Sequence, residues 1–539
     1  MGRYNLIEEP WIPVRDLAGN RKELGIRDVL LTAENLSVIE DPSPLVTAAL
    51  HRFLLAVLYR ALEGPCDIDE AKKLFKEGLP KDRIRAYLEK WKGRFYLFDE
   101  KYPFGQIPDF EPKEWRSWTA LAAEHNADNA KVLFDHIDVN NSGAISFAAA
   151  TRWMLATHTY AVSTGKSELS HTGTAPSAGA VMAIPIGKTL ADTLLYCLVP
   201  QNREIMQKDI PLWEREPETL QYFKKPVRVR DKKTGKDKDR AVERTASGIV
   251  DVYTWRSRTI FLKEDRSDKI SDLGLASGVG YLESMTIDPM VSYRIGNKKD
   301  EGVEIKEKKR VVVHLEDKGI WRDFDSLLPD DNHLAPKVVE HTVVLTRNIL
   351  DRFPKGILVM GQRYYPPRPN IAFWRNEFFI LPSALAGDKY IRGDIHSFLD
   401  EAEKTREELN KACREMGRVI LTHGDRDLEP DKWKAGKFIP GDITKYVNNV
   451  GAIPYYWSIL EVKFHEVLRD YTLECNPDDI HHDWLVSVRN ALQEAWSLHE
   501  QSISGGDTWA IRALVKAGRI IGIKIKELNE SIQQLKEGT

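Results

Sequence analysis

The most informative segment of this 539-residue sequence is Asn5-Leu6-Ile7-Glu8-Glu9-Pro10-Trp11-Ile12-Pro13-Val14. Pro10 and Pro13 fix their own φ angles and favour extended conformations in the residues before them. A proline is tolerated at the edge of a sheet and disfavoured in its centre, so the pattern predicts an extended edge strand in which Trp11 anchors the chain to the core. The segment lies near the amino terminus of the sequence, and we expect no targeting segment before it.

The composition is that of a globular protein with more than one domain. Hydrophobic residues make up 42% and charged residues 29% of a chain that is too long for one ordinary core. The formal net charge of −3 argues against coating nucleic acid through bulk charge and leaves room for local basic patches. No apolar run approaches the ~20 residues that cross a bilayer, so we expect no membrane partner. We expect a reducing cytoplasm, because the cysteines form neither metal-binding pairs nor a disulfide framework: Cys66, Cys197, Cys413 and Cys475.

The hydrophobic pattern changes in the last third of the chain. Earlier, helical spacing over residues 44–63 is followed by strand-like segments that include 341–346 and 357–360. Later, long helical segments follow one another with short links. We therefore predict an α+β protein, with a large mixed α/β domain over residues 1–385 and a four-helix bundle over 386–539.

Residues 138–149 copy the first half of a calcium-binding EF-hand loop. Oxygen ligands stand at Asp138, Asn140 and Ser142, and Gly143 occupies the sixth position. The twelfth position, which needs a bidentate glutamate, is Ala149. The incomplete ligand set argues against a calcium site.

Other short motifs also point to enzyme chemistry and are incomplete. Gly165-Lys166-Ser167 and Gly187-Lys188-Thr189 lack the earlier glycine of a phosphate loop, since Tyr160 and Met182 stand there. His481-His482 would point to different faces of a helix and chelate one ion poorly. We expect no cofactor, no metal and no catalytic residue. The alternative is a metal- or nucleotide-dependent enzyme that uses the EF-hand-like or Gly-Lys-Ser/Thr segments.

Several short motifs occur in one order along the chain. After the amino-terminal segment come Phe95-Tyr96-Leu97 with Pro103-Phe104 and Gln106, then Leu133-Phe134-Asp135-His136, Gly187-Lys188-Thr189-Leu190 with Thr193-Leu194-Leu195, and Tyr253-Thr254-Trp255-Arg256-Ser257-Arg258. Together they resemble the CasA-type large subunit of Cascade, the type I-E CRISPR surveillance complex.

This resemblance implies a non-catalytic protein of antiviral defence. Such a subunit recognises a short protospacer-adjacent motif from the minor groove, which separates A·T from G·C and little else. It helps to open the duplex for pairing with the guide RNA, and it recruits a helicase-nuclease. The implied partners are the backbone, small and guide-capping subunits of Cascade, the CRISPR guide RNA, double-stranded target DNA and the helicase-nuclease.

The resemblance also implies three DNA-reading elements. The first is a glycine-containing loop with Ser163, Thr164, Gly165 and Lys166. The second follows a strand over residues 280–285, where Ser284 and Met285 stand and no lysine follows. The third is a wedge hairpin after Met360-Gly361, and the alternative is an ordinary proline-rich turn. Its rigid tip could unstack bases and place an arginine on phosphate or base: Pro367, Arg368, Pro369 and Asn370.

Two further segments are implied to lie near nucleic acid. Phe134, Asp135 and His136 match a first loop near the guide RNA. A basic run could contact phosphates, although such a run is often only a solvated face. Its residues are Lys224, Lys225, Arg228, Arg230, Lys232 and Lys233.

Overall fold

The computed structural model divides the chain into two compact units, Met1–Phe379 and Ile380–Thr539. The residues that the structure describes are 2–112, 114–122, 143–162, 173–219, 222, 227–230, 237–240, 242–282, 288–296, 308–311, 318–328, 333–365, 370–387, 391–422, 440–501, 503 and 507–537.

The first unit mixes helices and strands, and the second is helical, which confirms the predicted α+β class. The helices of the first unit are α1 (Ile26–Leu31), α2 (Pro44–Leu62), α3 (Ile68–Glu77), α4 (Lys81–Trp91), α5 (Phe147–Tyr160), α6 (Leu190–Cys197), α7 (Arg203–Lys208), α8 (Ile249–Tyr253) and α9 (Lys337–Thr346). Its strands are β1 (Arg3–Asn5), β2 (Ile12–Asp16), β3 (Arg21–Leu24), β4 (Leu36–Ile39), β5 (Tyr96–Phe98), β6 (Arg116–Ser117), β7 (Met182–Ile186), β8 (Val227–Arg230), β9 (Asp237–Arg240), β10 (Glu243–Arg244), β11 (Arg258–Glu264), β12 (Ile270–Ser277), β13 (Gly280–Tyr281), β14 (Tyr293–Gly296), β15 (Lys308–Val311), β16 (His333–Leu334), β17 (Gly356–Tyr365) and β18 (Asn370–Phe379).

The amino-terminal segment anchors the chain, but it is not an edge strand. Trp11 is fully buried and its indole nitrogen donates to the Leu6 carbonyl at 2.8 Å. β2 is central in the order β3-β2-β4, which corrects the edge-strand prediction. On the β4 side of β2, the carbonyl of Pro13 accepts from Glu40 N at 3.0 Å. The nitrogen and carbonyl of one strand residue point to the same side, so the missing N–H of Pro13 faces the position where β4 has already ended.

Residues 341–346, which the sequence predicts as a strand, belong to helix α9. Their β-branched residues favour a strand locally. In the helix, Thr342 and Thr346 donate their hydroxyls to the carbonyls four residues earlier, at 2.6 and 2.8 Å. Packing of α9 on α6 and β7 therefore outweighs local propensity.

Helix α2 forms the centre of the first unit. Among the described residues it is the helix that is long and apolar enough to cross a membrane by composition, and 94% of its apolar stretch is buried in the unit. It contacts α4, α5, α8 and β17. α2 is therefore built into the core like the central helix of a globular domain.

A three-stranded antiparallel sheet in the order β18-β17-β7 borders this core. All five residues of β7 are buried. β17 pairs with β7 only as far as Met360 and then continues with β18 to the pair Tyr365 and Asn370. The far half of the β17–β18 hairpin thus extends beyond the end of β7.

The described residues of the second unit form four long α-helices and one short α-helix. The buried side of α10 repeats at intervals of three and four residues, as in helical bundles: Ile395, Phe398, Ala402, Thr405, Leu409, Ala412, Met416 and Val419. The short helix α11 was missed in the sequence, because Pro440 and Gly441 resembled a link. It is separated from α12 by Gly451, whose φ of +72° breaks the helix. The helices are α10 (Ile391–Thr422), α11 (Pro440–Val450), α12 (Ala452–Asp470), α13 (Pro477–Gln501) and α14 (Thr508–Glu537).

Candidate nucleic-acid interface

Most residues predicted to touch nucleic acid lie outside the described residues, and their roles stay predictions. Within the described part, the backbones of Arg228 and Arg230 lie in β8, and Asn370 begins β18. Met360-Gly361 lies within the β17–β18 hairpin, and the role of this hairpin as a wedge stays a prediction. The residues outside are Ser163, Thr164, Gly165, Lys166, Ser284, Met285, Pro367, Arg368, Pro369, Phe134, Asp135, His136, Lys224, Lys225, Lys232 and Lys233.

The carboxyl end of α5 lies at the start of the first predicted loop. A helix leaves its last carbonyl oxygens without partners inside the helix. Here Ser257 Oγ donates to the His158 carbonyl at 2.8 Å, and Arg258 Nη2 donates to the Ala161 carbonyl at 3.0 Å. Ser257 and Arg258 are each 1% exposed, so these bonds are shielded from water. A cation at this end of a helix also interacts favourably with the helix dipole.

Arg258 holds both ends of the predicted loop. Its Nη2 also donates to the Gly173 carbonyl at 3.2 Å, and Nη1 donates to the Ser257 carbonyl at 2.7 Å. Burial lowers the pKa of Arg258 to about 9, which still leaves it cationic at neutral pH. Hydrogen bonds from a charged donor contribute roughly 1.5–3 kcal/mol each. One guanidinium therefore defines the separation between residues 161 and 173.

The β17–β18 hairpin is attached to the same helix end. Gln362 Nε2 donates to the Tyr160 carbonyl at 2.6 Å, and Gln362 is fully buried. Its amide oxygen accepts no hydrogen bond in the part of the chain that is described. The hydrogen bond from Nε2 therefore ties β17 to the end of α5.

Apolar contacts join the first loop to both strands of the hairpin. Val162, Ala175 and Ala178 form a small buried cluster. Tyr364 of β17 and Ile371 of β18, which face each other across the hairpin, pack against it. The residues flanking segment 163–172 thus rest on the part of the hairpin that extends beyond β7.

The strand that enters the second predicted loop lies against the segment that carries Arg258. Gly278 N donates to the Ser257 carbonyl at 3.1 Å. A Cβ on Gly278 would lie 2.5 Å from the Arg256 carbonyl oxygen and 2.6 Å from Arg258 N, so no larger residue fits without a backbone shift. Trp255 and Tyr281 then meet edge to face with ring centroids 5.1 Å apart.

The far end of the second loop is fixed by a buried ion pair. Arg52 Nη1 lies 2.5 Å from Asp288 Oδ2, with side-chain exposures of 1% and 8%. Asp288 also accepts from Met290 N at 3.0 Å, and its own N–H donates to the Tyr293 hydroxyl at 3.1 Å. The Arg52 guanidinium stacks over the Tyr253 ring, 4.4 Å from its centroid. Asp288 is therefore held in one position directly after residues 283–287.

The three predicted DNA-reading elements share one anchoring point at Met182. Its sulfur accepts from the Tyr160 hydroxyl at 3.2 Å and lies 3.8 Å from Arg52 Nη1. Its backbone pairs with Met360 on one side and bridges Val291 on the other. The anchors of the first loop, the second loop and the hairpin therefore meet around one fully buried side chain.

Arg244, which follows the basic run along the chain, is part of the scaffold. Arg244 forms a bidentate pair with Asp251 at 2.5 and 2.9 Å and stacks on Trp255 at 4.1 Å. Arg215 pairs with the same carboxylate at 3.0 Å. Burial raises the pKa of Asp251, but the two arginines outweigh it and the net pKa lies below the ordinary value. Arg244 thus supports the second-loop strand, because Trp255 also contacts Tyr281.

The second Gly-Lys-Ser/Thr triplet is the start of a helix. Thr189 caps α6 in a capping box with Asp192, and Gly187 N donates to Thr193 Oγ1 at 2.9 Å. A Cβ at Gly187 would lie 2.4 Å from Asp192 Cβ, so the glycine serves this turn and not a phosphate. Gly165-Lys166-Ser167 lies outside the described residues.

The other tempting motifs also have structural explanations. Ser146 caps α5 by accepting from Ala149 N at 3.2 Å, so the last EF-hand-like position lies in a helix. His481 contacts Glu401 at 3.0 Å, whereas His482 contacts Asp483 at 3.0 Å. Among the described residues, no group of three or more His, Cys, Asp and Glu side chains is placed to hold a metal ion.

The family model of CRISPR-associated protein Cse1 matches residues 5–495. The chain belongs to the Cse1 family. A relative from Thermus thermophilus, CRISPR-associated protein CasA/Cse1, is 31% identical, and the match covers 98% of this chain and 99% of the relative. The solved structure of Thermus thermophilus CasA (Cse1) has a TM-score of 0.79 at 27% identity and covers 98% of this chain and 100% of that one. A chain of a solved CRISPR RNA-guided surveillance complex has a TM-score of 0.66 at 18% identity, covers 98% and 100%, and shows likeness of fold.

Sequence reasoning missed the residues that hold the flanks of the predicted loops. Arg258 ends one of the family-like motifs, Tyr253–Arg258, but nothing in that motif tells which carbonyls its guanidinium reaches. No sequence pattern pointed to Gln362 or Arg52, because their hydrogen-bond partners are 202 and 236 residues away in the chain. Only folding brings these pairs together.

Proposed function

We propose that this Cse1 chain is the large subunit of an RNA-guided DNA surveillance complex of the type I-E Cascade class. It recognises a protospacer-adjacent motif in double-stranded DNA from the minor groove and helps to open the duplex for the guide RNA. It then recruits a helicase-nuclease that degrades the target in antiviral defence. The chain itself performs no catalysis and needs no cofactor.

The observation that carries the proposal is the convergence of the three loop anchors at Met182. Minor-groove reading needs several backbone segments held close together, because the groove is narrow and offers few distinguishing groups. One buried scaffold holds the anchors of three segments close together. These segments are 163–172, 283–287 and the hairpin. A loop that reads a groove is best supported by such a rigid frame.

The hairpin supports the duplex-opening part of the proposal. Its long paired strands are anchored by Gln362 and by the contacts of Tyr364 and Ile371. Separating a base step costs a few kcal/mol. The hairpin that separates it therefore needs a rigid attachment to the rest of the protein. Arg368 at the proline-rich tip is the proposed wedge residue, with Pro367, Pro369 and Asn370 beside it.

The proposed partners follow from family membership. They are the backbone, small and guide-capping subunits, the guide RNA, target DNA and the helicase-nuclease. Phe134, Asp135 and His136 are proposed to lie near the guide RNA, and the run from Lys224 to Lys233 near DNA phosphates. A likeness of fold to a chain from a CRISPR RNA-guided surveillance complex supports this assignment.

The test uses the complete complex reconstituted with variants of this chain. Arg368→Ala and Gly165→Asp should each abolish motif-dependent binding to duplex DNA and leave binding to single-stranded target intact. Binding is measured by gel shift on duplexes with randomised motif positions. The salt dependence of each variant separates phosphate contacts from base reading.

Two matched controls use exposed residues that lie outside the proposed interface. Arg266→Ala removes an exposed arginine from the β11–β12 turn, and Lys188→Ala removes the exposed lysine of the other Gly-Lys triplet. Both should bind like the unaltered complex. If duplex binding of the Arg368 and Gly165 variants is also unchanged, the site assignment is wrong.

A further inference from the structure

The last turn of α5 connects the first loop and the hairpin through two consecutive carbonyls. The Tyr160 carbonyl accepts from Gln362 of the hairpin, and the Ala161 carbonyl accepts from Arg258 and from Ala175 N. Arg258 also reaches Gly173, on the other side of the loop. We call this set of hydrogen bonds the α5 cap.

We infer that the α5 cap couples motif reading to duplex opening, and that Arg258 and Gln362 are positioning residues for this coupling. The inference rests on the proposed function and adds to it a physical link between two of its elements. Contact of DNA with the loop would then change how firmly the hairpin is held, and contact with the hairpin would change the loop to the same degree.

The link is mechanical because the two carbonyls belong to neighbouring peptide units. The two units are linked only through the Cα of Ala161, so a shift of the Ala161 carbonyl acts on the preceding unit through the φ and ψ angles of that residue. Ala161 N lies in the same planar unit as the Tyr160 carbonyl and donates to the Thr157 carbonyl at 3.0 Å, so this unit is held from both sides, by α5 and by Gln362. A close-packed interior transmits such a shift instead of absorbing it.

A second contact runs parallel to the α5 cap. Val162 is the last described residue before the loop, and its cluster packs against Tyr364 and Ile371. The loop end therefore touches both strands of the hairpin as well as the α5 cap. Two contacts between the same two elements make independent movement of either one unfavourable.

The experiment is a double-mutant cycle in the reconstituted complex. Arg258→Lys keeps the charge but cannot reproduce the forked donation of a guanidinium to separate carbonyls. Gln362→Met keeps the length of the side chain and removes the donor. The measured quantity is motif preference, the ratio of duplex affinities with and without the motif. Each single variant should lower the motif preference about tenfold. The double variant should also lower it about tenfold, and not about a hundredfold, because both substitutions break one coupled unit.

The controls separate positioning from loss of fold. Arg256→Lys alters a neighbouring buried arginine whose Nε lies 3.9 Å from Glu218, and it should leave motif preference unchanged. Binding to single-stranded target should be normal in all variants. If Arg258→Lys weakens that binding as well, Val162→Ala takes its place in the cycle with the same expectation.

The outcomes distinguish this inference from the proposed function. If the unaltered complex shows no motif preference, the proposed function is wrong. If the unaltered complex shows a preference and the two single effects multiply in the double variant, the elements are independent and the coupling is wrong. Unchanged preference in both single variants also overturns it.

Discussion

The two units of this chain are stabilised by different kinds of contact. In the first unit, buried charged and amide side chains reach partners far away in the sequence, as Arg258 reaches Gly173 and Arg52 reaches Asp288. In the second unit, buried positions along α10 repeat at helical intervals and pack against α13 and α14. Directional hydrogen bonds hold a loop end at one position, whereas apolar helix faces tolerate small shifts and substitutions. The loops proposed to read DNA are anchored in the unit that uses directional bonds.

One polar cluster in the second unit shows the limit of this contrast. His499 lies between Cys413 Sγ at 3.3 Å and the Tyr446 hydroxyl at 3.1 Å. Burial raises the pKa of Cys413 to about 12 and lowers the pKa of His499 to about 4. Cys413 is 1% exposed and His499 is fully buried, so the thiol is shielded from solvent and the cluster belongs to the packed interior of the second unit.

The largest expected effect is from Arg52→Met, which leaves the buried Asp288 carboxylate unpaired. Removing one partner of a buried ion pair costs about 3–5 kcal/mol. Hydrogen exchange on the full chain should show faster exchange in β7 and little change in α12. The double variant Arg52→Met with Asp288→Asn should recover part of the loss. Equal losses in the single and double variants would contradict this account of the first unit.

Acid should weaken the first unit more than the second. Burial lowers the pKa of His51 to about 4, of His158 to about 3 and of His341 to about 4. A histidine whose folded pKa lies below its unfolded value of about 6.5 binds its proton more readily when unfolded. The stability it contributes is present above about pH 6.5 and is lost as pH falls toward the folded pKa.

In the second unit two histidines act in opposite directions. Burial lowers the pKa of His499, as it does for the three histidines of the first unit. The hydrogen bond with Glu401 instead raises the pKa of His481. His481 therefore adds stability at low pH that is lost as pH rises through its folded pKa. Hydrogen exchange compared at about pH 7 and about pH 5, after correction for intrinsic rates, should show the larger loss of protection in the first unit. A larger loss in the second unit would reverse the comparison.

The smallest expected effect concerns the helix start that resembles a phosphate loop. Thr189→Ala removes the capping hydroxyl of α6 and should cost about 1 kcal/mol of unfolding free energy. Lys188→Ala alters an exposed residue and should change it by less than about 0.5 kcal/mol. Chemical denaturation measures both. If the lysine variant loses more than the threonine variant, the triplet has a role other than capping.

The sequence predicted the fold class and several elements correctly, and its errors have physical causes. Helix α2 and the helical second unit follow from hydrophobic periodicity, which is local information, whereas the hairpin was implied by the family resemblance. The strand predicted for 341–346 was wrong, since tertiary packing outweighs β-branched propensity there. Pro13 lies in a central strand because β4 ends before its missing N–H would be needed.

The candidate site was also predicted only in part from the sequence. The ordered motifs of the sequence identified the family and the segments proposed to read DNA. The residues that hold those segments, among them Arg258, Gln362 and Arg52, could not be found from spacing. Their partners are decided by the folded backbone.

Neighbouring residues encode periodicity, turn chemistry and the order of short motifs, beginning with the segment around Trp11. The meeting of the anchors of three distant segments at Met182 depends on the folded chain, and so does the guanidinium that joins Ala161 to Gly173. The reason is physical. Hydrophobic patterns act through local repetition, whereas a buried directional hydrogen bond depends on two groups whose positions are set by the whole fold.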